Sequence, residues 1–213
     1  MEHCANKLKN AREIESMSFT SLIIVAVALG LYAAFWSWYV GFGRKISPAE
    51  IERVMDCLTG GTWTSKQRDS ARQFFENDDG KDFVMVNALH FRPPIKKSQA
   101  LFAKYGAAFR PELVKRAGHP VLMAQAAAAN LENLNSDAAD DWSMAAMVRY
   151  RSRRDFAEIA ILFAGGSDHQ LKLDAMEKTF AFPAAPWFVL GGPRLVVGLA
   201  IALAAALAHV ALV

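Results

Sequence analysis

The chain has 213 residues, 53% of them apolar and 21% charged, with a net charge of +3 and a mean hydropathy of +0.13. That hydropathy is high for a water-soluble protein, and its source is uneven: Phe19–Val40 and Leu195–Val213 contain no Asp, Glu, Lys or Arg. The pattern excludes a soluble cytosolic enzyme, a disordered chain and a disulfide scaffold, since Cys4 and Cys57 alone cannot build one, and the small charge gives no footprint for nucleic acid.

Residues 1–18 read as an N-terminal tail in which Lys7, Lys9 and Arg12 are offset by Glu2, Glu13 and Glu15. Residues 19–40 read as a transmembrane helix. Such a helix would span about 33 Å, against a hydrocarbon core of roughly 30 Å. Tyr32, Trp36, Trp38 and Tyr39 crowd its C-terminal half, where amphipathic rings favour the headgroup level. A cleaved signal peptide is the competing reading. The length of the run, the acids before it and the lack of a small-x-small cleavage site argue against that.

Residues 43–80 read as a short helical segment. Ser47 and Glu50 make a capping box with Pro48 in the first turn. Ile51, Val54, Met55 and Leu58 then form an apolar stripe over Ser47–Leu58, which Gly60-Gly61 ends. Thr64 and Gln67 start a second helix through Glu76, with Ala71, Phe74 and Phe75 inward. Asn77-Asp78-Asp79-Gly80 reads as a turn, because its spacing does not suit a calcium loop.

Residues 81–185 read as one α+β domain. Asp82–Phe91 is a strand with Phe83, Met85, Asn87, Leu89 and Phe91 on one face and Val84, Val86, Ala88 and His90 on the other. A helix over Ser98–Arg110 follows, kinked or restarted at Pro111. Strands are expected at Val121–Ala126 and Trp142–Tyr150, joined by a polar loop with Asp137, Asp140 and Asp141. Ser152 starts a further helix carrying Phe156, Ile159 and Leu162, which Gly165-Gly166 breaks. Ser167 with Gln170 is expected to cap a last short helix, Asp168–Glu177, before a strand at Lys178–Phe182. The order β-α-β-β-α-β is the ferredoxin-like pattern, with helices on one face of an antiparallel sheet.

Residues 190–213 contain the second span, about 28 Å long and rich in Ala and Gly. It shows no polar face of the kind a helix on a soluble core would have. His209, its one ionisable side chain, reads as interfacial. Arg44, Lys45, Arg53, Lys178 and Arg194 flank the spans on the central side, which favours a cytoplasmic central domain in an inner membrane. The unpaired Cys57 suits that reduced compartment.

The run Asp78-Asp79-Gly80-Lys81-Asp82-Phe83-Val84-Met85-Val86-Asn87, followed by Phe91-Arg92, resembles the start of the bacterial domain-of-unknown-function family thirteen-thirty. Tyr105, Gly118-His119-Pro120, Val148-Arg149-Tyr150-Arg151-Ser152-Arg153 and the helix from His169 to Glu177 carry the resemblance on to about residue 183. It implies membership of the dimeric α+β-barrel superfamily, in which two sheets pack face to face. The two membrane spans and Gly165-Gly166-Ser167-Asp168 depart from that family's pattern. Some members of the wider superfamily bind haem through a histidine, which draws attention to His169.

The candidate ligand-binding residues are Asn87, His90, Arg149 and His169. Each has a structural alternative: buried hydrogen bonding for Asn87, a helix contact for His90, and solvent exposure or hydrogen bonding for His169. Arg149, Arg151, Arg153 and Arg154 are the densest basic cluster, a solvated strand end or an anion or headgroup site. No metal-ligand spacing, catalytic triad or phosphate loop is legible, and no cofactor is expected. The partners expected are the lipid bilayer and either a second copy or a larger membrane complex. An accessory or assembly subunit fits best; a membrane-tethered ligand-binding dimer and a barrel enzyme of oxygenase or isomerase type are the alternatives.

Overall fold

The computed structural model describes residues 2–59, 63–132, 134, 141–187, 189 and 191–213, with side chains from Phe19 onward. Gly60-Gly61 and the loop positions Asp137 and Asp140 lie outside the described residues. The chain divides into two compact units, residues 1–39 with 188–213 and residues 40–187.

The first unit is a pair of helices, α1 (Glu2–Val40) and α7 (Pro193–Leu212). Two stretches are long and apolar enough to cross a membrane: Phe19–Gly43, which begins in α1 and runs into the turn after it, and Pro193–Leu212, which is α7. The helical backbone begins at Glu2, so the tail continues the span without a break. The two run antiparallel. Tyr32 donates to the Arg194 carbonyl at 3.2 Å, and Ser21 meets His209 Nδ1 at 3.3 Å. The Arg194 guanidinium lies 5.5 Å from the centroids of both Trp36 and Tyr39, a cation–π seat. Gly198 faces the Tyr32 ring, where a Cβ would approach to 3.3 Å. One small residue thus serves close helix approach.

In the second unit, a turn at Gly41–Gly43 leads to α2 (Pro48–Thr59) and α3 (Ser65–Glu76). The expected capping box at Ser47 forms, and the helix start expected at Thr64 is also a capping box. The Ser47 N–H donates to Glu50 at 2.8 Å and the Glu50 N–H to Ser47 Oγ at 3.4 Å. Thr64 and Gln67 exchange the same pair of bonds at 2.9 and 3.2 Å. The turn after α3 is more than a turn. Asp78 is buried and accepts from the Ile46 N–H at 2.8 Å and the Gly80 N–H at 3.0 Å. Gly80 sits at φ +75°, and a Cβ there would strike the Gly43 carbonyl. The connector before α2 is thereby fastened to the start of the sheet.

The sheet has four antiparallel strands: β1 (Phe83–Phe91), β2 (His119–Gln125), β3 (Met144–Tyr150) and β4 (Met176–Ala184), in the order β2-β3-β1-β4. Between them run α4 (Ile95–Lys115), α5 (Arg153–Phe163) and α6 (Ser167–Ala175). The class is α+β. Several boundaries differ from expectation. Helix α4 continues through Pro111, because Tyr105 and Phe109 before it and Leu113 after it pack into one cluster with Phe83 and Tyr150. That burial outweighs one lost backbone bond and the ring's crowding. Trp142 lies before β3, with its ring 5.1 Å from the Lys178 amine. Helix α6 ends at Ala175, and β4 starts at Met176 rather than Lys178. Its N-cap is Gly166, with no capping side chain, so Ser167 is not the cap.

The alternation expected for β1 holds. Phe83, Met85, Leu89 and Phe91 pack against α4, α5 and α6 in two clusters. A third cluster joins Ile46, Ile51, Val54, Met55 and Phe75 to Ala157 of α5. Helices α2 and α3 therefore lie on the helical layer and leave the other sheet face alone.

Candidate functional site

Two places combine functional groups with incomplete coverage. The first is the sheet face turned away from the helices. Strand register lines up transverse rows across it: Leu122, Met147, Val86 and Phe182 in one, Ala124, Ala145, Ala88 and Phe180 in the next. Phe180 is 58% exposed, Phe182 44% and Leu122 43%. No element of residues 40–187 covers these rows among the described residues. A contiguous apolar patch of this kind marks an interaction surface.

His90 and Arg149 belong to this face. His90 lies opposite Lys178 in β4, and its Nε2 is 3.9 Å from Glu177. Its Nδ1 is sealed from solvent and has no hydrogen-bond partner. Arg149 is buried, donates to Asp82 at 2.8 Å and donates to the Ala117 carbonyl at 2.8 Å. It closes the turn between α4 and β2, where Ala117 takes φ +56°. These two bonds tie the guanidinium into the fold.

The rest of the basic cluster is paired in the same way. Arg151 makes a forked contact with Asp155 at 2.8 Å for both bonds. Arg153 lies 3.8 Å from Asp78 and donates to the Phe74 carbonyl. Arg154 reaches Glu50 at 2.7 Å, joining α5 to α2. Burial works to raise the Glu50 carboxyl, but bonds from the Ser47 backbone and hydroxyl and from Arg154 outweigh it and hold it down at about 2. An open cleft beside this pair is lined by Ile46, Arg53 and Glu158. Arg154 pairs there with Glu50 and lies 3.7 Å from Glu158, so it ties α5 to α2.

The second place lies on the helix side of the sheet. Asn87 is the polar member of that β1 face, flanked across the register by Ala146 and Ala181. Its amide donates to the Met85 carbonyl at 3.0 Å and the Ala146 carbonyl at 3.1 Å, and the side chain is half-buried. Asn87 and His90 face opposite sides, so no pair forms between them. On α4, Tyr105 stacks on Phe102 and Phe109 and meets Phe163 edge-on. Burial pushes its phenol up to about 12, and pushes that of Tyr150 up as well.

Helix α6 brings Lys172 to this aromatic group, with His169 one turn before it on the same helix. Lys172 is half-buried, with its amine 5.9 Å from the Tyr105 ring centroid. Burial lowers the pKa of that amine. His169 is also half-buried, and its pKa is lowered by burial and then by Lys172. The sequence flagged His169 and Tyr105 separately but missed Lys172. The signal available was spacing: residues 169, 172 and 175 share one helix face, and Ala175 is fully buried. Among the described residues no group of three or more His, Cys, Asp or Glu side chains could hold a metal ion.

No family model matches the chain, and no curated protein does. Among solved structures, a protein of unknown function from Rhodopseudomonas palustris is similar at 18% identity, over 60% of this chain and 97% of that one, with a TM-score of 0.47. Its methylated form gives 20% identity, 62% and 96% coverage, and a TM-score of 0.47. An uncharacterised NIPSNAP-like domain protein from Burkholderia xenovorans is similar at 14% identity, over 53% of this chain and 90% of that one, with a TM-score of 0.36.

Proposed function

We propose that the chain is a membrane-anchored accessory or assembly subunit whose central domain docks through its bare sheet face. The observation that carries this reading is the pair of apolar rows ending in Phe180 and Phe182, which α2 and α3 leave uncovered. A sheet-on-sheet contact about 10 Å deep would bury such rows. A second copy is the occupant we favour, because an isologous contact sets identical apolar rows against each other. The antiparallel sheet, its order β2-β3-β1-β4 and helices on one face support a ferredoxin-like assignment and kinship with the family thirteen-thirty domains. Two long apolar helices with largely exposed flanks support docking to other spans in an inner membrane. The flanking Arg44, Lys45 and Arg194 support a cytoplasmic central domain.

The test is purification of the tagged full chain from its native membrane in mild detergent. A stoichiometric complex with other membrane proteins is the expected result. Recovery of the chain with itself alone would refute the accessory role. A second reading, a tethered ligand-binding protein or barrel enzyme, is favoured by Tyr105, His169 and Lys172; co-purification of a small molecule would move the assignment there.

A further inference from the structure

Charge is spread unevenly over residues 40–187. Residues 92–116, which contain α4, hold seven Lys or Arg and one acid, Glu112, whereas the rest of that unit holds thirteen Lys or Arg and seventeen acids. One side of α4 packs inward through Leu101, Phe102, Tyr105, Phe109 and Leu113. Its other side is exposed and carries Lys96, Lys97, Lys104 and Arg110, with Ala100, Ala103 and Ala107 among them. Helical spacing sets Lys96, the three alanines and Arg110 in one stripe and Lys97 and Lys104 in the next. Among the described residues these four cations make no ion pair, while Arg149, Arg151, Arg153 and Arg154 are drawn to Asp82, Asp155, Asp78 and Glu50. Lys96 and Lys97 also stand in the first turn of α4, where the helix dipole disfavours cations, and no acid accompanies them there. A local rule broken with no offset inside the chain points to a functional surface.

We propose that the outer face of α4 docks an acidic partner protein, through a helix or tail rich in Asp and Glu on another subunit of the complex. This rests on the accessory-subunit reading above and names the chemistry of the partner. Charge complementarity carries it: four exposed, unpaired cations on one helix make a field that draws and orients an acidic surface. The small side chains among them let a partner backbone come close, while the lysine stems reach around it. The face stays open when two copies meet through their bare sheets, because the helices and the bare rows lie on opposite sides of the sheet. The same geometry separates protein from lipid as the occupant. A face-to-face pair turns its two α4 surfaces in opposite directions, so one flat bilayer meets at most one of them.

The test joins carboxylates directly to amines with a carbodiimide in native membranes holding the tagged full chain, followed by mass spectrometry of each lysine-containing peptide. Lys96, Lys97 and Lys104 should join Asp or Glu of a different polypeptide roughly tenfold more than the exposed Lys66 of α3 does. Raising the salt from about 0.1 to about 0.5 M should erase that excess, since screening shortens the reach of exposed charges. A combined Lys96→Glu, Lys97→Glu, Lys104→Glu and Arg110→Glu variant should lose the companion protein and keep its two-copy mass and circular dichroism. Equal yields at Lys66 and the α4 lysines would overturn the proposal, as would links confined to a second copy of this chain. The purified chain alone, placed in vesicles of phosphatidylglycerol or of phosphatidylcholine, should show the same acetylation of these lysines in both; protection by phosphatidylglycerol would give the face to lipid and overturn the proposal too. A folded reversed variant that still purifies with its companions refutes docking at α4 and leaves the accessory role standing. An unmodified chain that purifies alone removes the accessory role, and this inference with it.

Discussion

The two faces of the sheet are built from the same strands and have opposite fates. On the helix side, Phe83, Leu89, Phe91, Ala146 and Tyr150 are buried under α4, α5 and α6. On the other side, residues offset by one position in the same strands form rows that end in exposed Phe180 and Phe182. A period of two makes both faces available to one sequence, and apolar residues on both call for two covers. Among the described residues, the unit of residues 40–187 supplies one of them. It spends its additional helices, α2 and α3, on thickening the covered side through Ala157 of α5. The lesson is that apolar bulk near a bare face in sequence does not have to lie on it.

The largest expected effect separates two adjacent residues. Val148 packs on the helix side, and Met147 stands in an open-face row. Val148→Asp should bury an unpaired charge and cost about 3–5 kcal/mol, enough to unfold many domains. Met147→Asp should change the stability of the isolated fold by about 1 kcal/mol or less while abolishing self-association. Chemical denaturation of both variants, followed by tryptophan fluorescence, checks the contrast. Equal losses would mean that both faces are covered within one chain.

Phe75 is almost fully buried between α3, α2 and α5. Phe75→Ala should cost about 3–5 kcal/mol, measured by urea unfolding. It should leave the mass of the assembly unchanged if the open face alone drives association. A loss of association at unchanged foldedness would place α3 at the interface instead.

Part of this contrast is legible in the sequence. The two capping boxes, the strand faces of β1 and the charge-free spans follow from local chemistry, which sequence states directly. The seat of α2 and α3 was not legible. Ile51, Val54 and Met55 define an inward face but carry nothing to say whether α5 or the open sheet receives it. Pro111 suggested a break that packing on either side overrode. Lys172 escaped because a lysine in a short helix without a clean apolar stripe reads as solvated; only docking of α6 against Tyr105 turns it inward. Arg149 was the converse case, a candidate site residue whose position at the α4–β2 turn commits it to Asp82 and Ala117.

A smaller effect lies in acid. Glu50 is held at about 2 in the folded chain, against an ordinary carboxylate value of about 4.3. Its folded value is depressed, so its contribution is present above the ordinary value and is lost as pH falls through about 2. Amide exchange in α2 should therefore accelerate between about pH 4 and 2, more than exchange in β1. In a Glu50→Gln variant this added sensitivity should vanish. An α2 that loosens with the same acid profile in both chains would remove Glu50 as the tie.

The central claim is that the bare sheet face takes a second copy, and the most direct measurement is the mass of the full chain, overproduced in a foreign host without its native membrane partners and held in a mild detergent, by light scattering at micromolar concentration. The account predicts two copies per particle for the unmodified chain and one for Phe180→Glu with Phe182→Glu, with the circular dichroism of the two samples superimposable. A folded single copy of the unmodified chain at that concentration would contradict it.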